Sequence, residues 1–122
     1  MNDDALLQLL ESQTSIKGRY CKLQRINTSP GGGGYFSLTF KAHDQSSGKV
    51  VVLKFDHPWV ADKYRHDCFE REAALLAKFQ GEPNIVQLVE GISTFHCAVS
   101  LPTGQILSIP FRFVSLEAAR FS

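Results

Sequence analysis

Little in this chain marks it for a strongly charged partner. Thirteen Lys and Arg offset twelve Asp and Glu, leaving a net charge of +1, so no general field draws nucleic acid or an acidic membrane to it. Cysteine is scarce: Cys21, Cys68 and Cys97 form no CxxC pair, and an odd count leaves one unpaired. Reduced thiols in a cytoplasmic protein are the simplest account. His43, His57, His66 and His96 stand in no metal-ligand spacing with those cysteines. His96 and Cys97 are neighbours on an expected strand, where adjacent side chains diverge, which argues against a catalytic dyad. No apolar run nears the roughly 20 residues that cross a bilayer. The acidic start Met1-Asn2-Asp3-Asp4 lacks the positive region of a signal peptide, and no segment repeats. Neither nucleic acid nor membrane is an expected partner.

What is present is a core. The 122 residues suit one domain, and 43% apolar content is that of a folded chain. Residues 1–18 are expected to form an N-terminal helix and linker, and 19–122 the main unit. Asp3 or Asp4 caps the helix, whose Leu6, Leu7, Leu9 and Leu10 cluster on one face; residues 13–18 are polar and end in Gly18. Strands are expected over 19–28, 35–43 and 49–55. Ser29-Pro30 and four glycines join the first two, and turn residues 44–48 join the next. The third is apolar on both faces, as a central strand is. A main helix over 62–79 follows Pro58 and stops at Gly81 and Pro83. Two further strands, about 84–99 and 106–116, flank a turn at 102–105, with Pro110 placing the last at an edge or bulge. Short connections among the first three strands make the sheet antiparallel. The expected class is α+β, a five-stranded antiparallel sheet with one packed main helix and a short N-terminal helix.

The chemistry concentrates in residues 31–54. Gly31, Gly32, Gly33 and Gly34 allow close backbone approach to another group, and the strand Val50-Val51-Val52-Leu53 ends in Lys54. On the main helix, Phe69, Leu76 and Phe79 mark one apolar face, and Glu72 lies three residues after Phe69 and four before Leu76. It therefore points the same way as they do, and a carboxylate on a buried stripe is costly unless paired, so Lys54 and Glu72 are expected to meet. A plainer alternative leaves both solvated, with Glu70 and Glu72 merely flanking Arg71. The glycines alone also serve as an ordinary hairpin connection. A Rossmann loop needs a helix directly after its glycines, whereas residues 35–40 are strand-like. A Walker A loop needs a terminal Gly-Lys-Ser/Thr, which is absent. Lys63, Arg65 and Arg71 are a solvated helix face more simply than a nucleic-acid patch.

In order along the chain, these residues resemble the amino-terminal lobe of a eukaryotic-type protein kinase, over about residues 19–119. Gly32-Gly33-Gly34-Tyr35-Phe36-Ser37-Leu38-Thr39 is similar to its glycine-rich loop, Val51-Val52-Leu53-Lys54 to its strand-borne lysine motif, and Glu72 to its helix glutamate. Asn84-Ile85-Val86 is similar to the segment that follows, and residues 113–119 to the strand that runs into the hinge. The resemblance implies ATP as ligand. Loop amides from Gly32 to Phe36 cover the phosphates, Lys54 contacts the α- and β-phosphates, and Glu72 holds Lys54. Val52 and Leu116 line the adenine, Leu116 guarding the back pocket, while Glu117 and Ala119 offer backbone groups to the base. Ser37 replaces the third loop glycine and Thr39 the valine over the adenine, which puts a hydroxyl near an apolar ring.

The same resemblance exposes an absence. No HRD catalytic loop and no DFG occurs in the sequence, so the catalytic and magnesium-binding aspartates lie outside it. Phosphoryl transfer from ATP to a protein substrate, of Ser/Thr type on family grounds, therefore requires a carboxy-terminal lobe; this chain alone is not expected to be active, and it ends just past the hinge. Magnesium enters only with that lobe. The alternative is a non-catalytic, kinase-like interaction module, whose uncovered cleft face favours self-association or a partner protein.

Overall fold

The structure is a computed structural model and describes residues 3–26, 37–58, 63–82 and 87–117. Its elements are α1 (Asp3–Glu11), β1 (Tyr20–Arg25), β2 (Ser37–Asp44), β3 (Lys49–Asp56), α2 (Lys63–Lys78), β4 (Leu88–Ser100) and β5 (Ile106–Glu117). The strands form one antiparallel sheet in the order β1-β2-β3-β5-β4. This is the α+β class expected, with β3 in the middle because Val51, Val52, Leu53 and Phe55 bury both of its faces.

Alternation along β3 separates two cores. Val51, Leu53 and Phe55 join Leu38, Phe40, Phe111 and Phe113 on the face covered by α1, which contributes Leu6 and Leu10, both fully buried. Val52 faces the other way, with Val114 and Leu116, onto Phe69 and Ala73 of α2. The sheet thus lies between the two helices, and its larger core is on the α1 side.

Turn chemistry sets the connections. Between β2 and β3, Asp44 accepts from the Ser46 N–H at 2.9 Å and Gly48 takes a φ of 73°, a left-handed value that favours glycine. The amide of Gly104 donates to the Leu101 carbonyl at 2.9 Å and closes the β4–β5 turn. Pro110 lies on the stretch of β5 that pairs only with β4, since the β3 partners of β5 begin at Phe113. β5, expected at an edge or bulge, instead lies between β3 and β4, and it tolerates Pro110 on a stretch with no β3 partner among the described residues.

Two expectations change. Residues 13–18, expected as a polar linker, bring Ile16 into a bridge with Tyr20, and Ile16 is fully buried in the α1-side core. One apolar residue among polar ones carries no period, so its burial was invisible until the turn folded it under. Phe79, expected on the buried stripe of the main helix, lies in the turn just beyond α2 and is 41% exposed. Among the described residues no helix is long and apolar enough to cross a membrane, and all three cysteines are free thiols.

Candidate functional site

Lys54 sits near the end of β3 on the α2 side of the sheet, between Thr39 of β2 and Val114 of β5. Its ammonium forms an ion pair with the Glu72 carboxylate. Lys54 is largely covered by its neighbours, whereas Glu72 is half-exposed, so the glutamate sits at the flank of the α2 stripe and not at its centre. Phe69, Ala73 and Leu76 are that centre, packed with Val52, Val114 and Leu116. The pair expected from helical phase is therefore formed, and it stands directly beside the small core of the α2 side.

Val52 pairs with Lys41 on one side and Leu116 on the other, and both Val52 and Leu116 are buried. Ile26, just after β1, packs against the same cluster. It was not among the expected site residues, although its place ahead of the glycines was the available signal. The Thr39 hydroxyl oxygen is buried without a hydrogen-bond partner among the described residues. Glu117 closes β5 and donates its N–H to the Gln87 carbonyl at 3.0 Å. Ser37 opens β2. Gly32, Gly33, Gly34, Tyr35, Phe36 and Ala119 lie outside the described residues, as do Asn84, Ile85 and Val86.

A second charged group adjoins the first. Asp56, two residues beyond Lys54, is 3% exposed. Its Oδ2 lies 2.5 Å from Nη2 of Arg112 on β5 and 2.7 Å from Nδ1 of His66 on α2. Nη1 of Arg112 lies 2.5 Å from Oε1 of Glu70. Burial works against the charge on Arg112, but Glu70 and Asp56 outweigh it and raise the guanidinium above its ordinary value. Asp56, His66 and Arg112, with His57, Pro58, Thr94 and Pro110, line a cavity of about 370 Å³. Sequence reasoning passed over this cluster because it joins three separate elements. Its one local signal was a lone cation, Arg112, between Phe111 and Phe113.

Beyond Glu72, the outer side of α2 carries an open groove of about 400 Å³ lined by Cys68, Arg71, Glu72, Leu75, Leu76 and Phe79. Leu75 is 49% exposed, so this groove is largely apolar and open to solvent.

No protein-family model matches the chain, and no curated protein matches its sequence.

Proposed function

We propose that the chain is the ATP-binding amino-terminal lobe of a cytoplasmic protein-kinase-like protein of Ser/Thr type. The support is the Lys54–Glu72 ion pair between β3 and α2, with Val52 and Leu116 buried beside it. Lys54 contacts the α- and β-phosphates and Glu72 keeps its ammonium in place. Val52, Leu116 and Thr39 take the apolar side of the adenine, Glu117 and Ala119 address its edge through the backbone, and the amides of residues 32–36, with Ser37 after them, close over the phosphates. Transfer to a protein substrate needs the catalytic and metal-binding aspartates of a carboxy-terminal lobe. With half of the pocket and no metal-binding aspartate, phosphate charge goes largely uncompensated, and the chain alone binds ATP weakly.

A titration of the isotope-labelled chain with Mg-ATP, followed by NMR, tests this. Shifts should gather on Thr39, Val52, Lys54 and Leu116, saturate only at about millimolar nucleotide, and vanish in Lys54→Met. Absence of any shift at those residues would remove the nucleotide assignment, and micromolar affinity would contradict the half-pocket account.

The groove on α2 favours a second function, a non-catalytic module that binds protein, a second copy of the chain included, through this apolar helix surface. Exposed apolar surface of this kind marks interaction sites. Size-exclusion chromatography at rising concentration should then show self-association that Leu75→Glu abolishes; a chain that stays monomeric excludes the self-associating form.

A further inference from the structure

Phe69, Ala73 and Leu76 form the stripe of α2 that meets the sheet. At about 100° per residue, Glu70 and Glu72 project from opposite flanks of that stripe. Each flank is tied by a different cation, Glu72 by Lys54 of β3 and Glu70 by Arg112 of β5. Arg112 also reaches back to Asp56, on the same face of β3 as Lys54, and its guanidinium carbon lies 5.5 Å from the centre of the Phe69 ring. His66, one turn before Glu70, adds a second contact to the same carboxylate. The Arg112 flank is thus tied to two strands, and the Glu72 flank to one side chain.

An apolar stripe resists lifting off a sheet but resists rolling only weakly, because hydrophobic attraction has no direction. A side chain ends about 6 Å from the helix axis, so a roll of about 20° moves its tip by about 2 Å. That is enough to take Glu72 out of hydrogen-bond range of Lys54.

We propose that Arg112 is a positioning residue: by bridging Asp56 and Glu70 it fixes the roll of α2 and so keeps Glu72 on the Lys54 ammonium. Its functional meaning rests on the nucleotide-lobe proposal; its geometry does not. A phosphate-binding lysine would then depend on a guanidinium that never touches the nucleotide.

Trace acetylation of the folded chain by acetic anhydride, read by mass spectrometry, reports on Lys54 directly. An ammonium held against a carboxylate acylates slowly, and a released amine acylates faster. Labelling is normalised to Lys41, an exposed lysine of β2. Arg112→Gln and Glu70→Gln should each raise Lys54 labelling about three- to fivefold, and Arg112→Lys should restore part of the protection. Asp67→Asn, which breaks the Lys63 pair along α2, should leave Lys54 at the wild-type rate. Glu70 is half-exposed, so Glu70→Gln retains the fold and decides the matter even if Arg112→Gln does not fold. Circular dichroism confirms equal helix content in the chains compared. Unchanged Lys54 labelling in Glu70→Gln, or an equal rise in Asp67→Asn, would overturn the inference. If Lys54 responds while Mg-ATP perturbs neither wild type nor variant, the proposed function fails and the roll lock stands.

Discussion

The Lys54 side chain is 17% exposed and that of its ion-pair partner Glu72 is 50% exposed. Water reaches one side of the pair, so its attraction is screened and its contribution to folding is small. Lys54→Met and Glu72→Gln should each cost less than about 1 kcal/mol and move the thermal midpoint by only a few degrees. Calorimetry of the two variants checks this. A loss several times larger would mean that the pair is a structural element and weaken its assignment to a ligand site.

Asp44 behaves in the opposite way. Its carboxylate is fully buried and takes two bonds from Arg19, at 2.9 and 3.0 Å, with further bonds from Ser46 and Ser47. Arg19 foremost holds it down to about 2, against 3.8 for a free aspartate, although burial opposes this. A depressed carboxyl stabilises the fold at pH above its unfolded value and loses that contribution as pH falls through its folded value. Stability should therefore drop between about pH 4 and pH 2 by on the order of 2 kcal/mol from this group. Urea denaturation across that range should show the drop in wild type and a smaller one in Asp44→Asn, itself less stable at neutral pH.

Thr39 carries a buried hydroxyl oxygen without a partner among the described residues. Valine has the same shape without the polar atom, and an unsatisfied buried group costs about 1–3 kcal/mol. Thr39→Val should stabilise the chain by about 1 kcal/mol, read as a raised midpoint in urea. A destabilised variant would show that the hydroxyl has found water or another partner.

Ile16 is fully buried in the core shared by α1 and the sheet. Removing its side chain leaves a cavity, and Ile16→Ala should cost about 2–5 kcal/mol. A cost near zero would show that residues 13–18 are the loose linker their composition implied.

Much of the fold was legible in the residues. The run Val50-Val51-Val52-Leu53 is apolar on both faces, and only a central strand can bury such a run. Glu72 follows Phe69 and precedes Leu76 at helical spacing, which already aimed it at the sheet. The site was legible only in part. Ile16 and Ile26 are single apolar residues without a period; a turn bridged to Tyr20 buries the first, and the second is partly buried against the α2-side cluster. Phe79 follows Leu76 by three residues, but at about 100° per residue it falls on the Glu72 flank, beside the open groove and not over the sheet. The cluster of Asp56, His66, Glu70 and Arg112 draws on three elements and leaves no short pattern to read.

By itself, the sequence determined the order and type of the elements and turned Glu72 toward β3, because these depend on local periods. Only the tertiary structure decided which face of the sheet each helix covers, that Ile16 belongs to the core, and that Arg112 reaches Asp56 and Glu70 together. Those contacts are set by strand order and by the two-residue alternation of β3 and β5, which bring side chains as far apart as Asp56 and Arg112 within bonding distance.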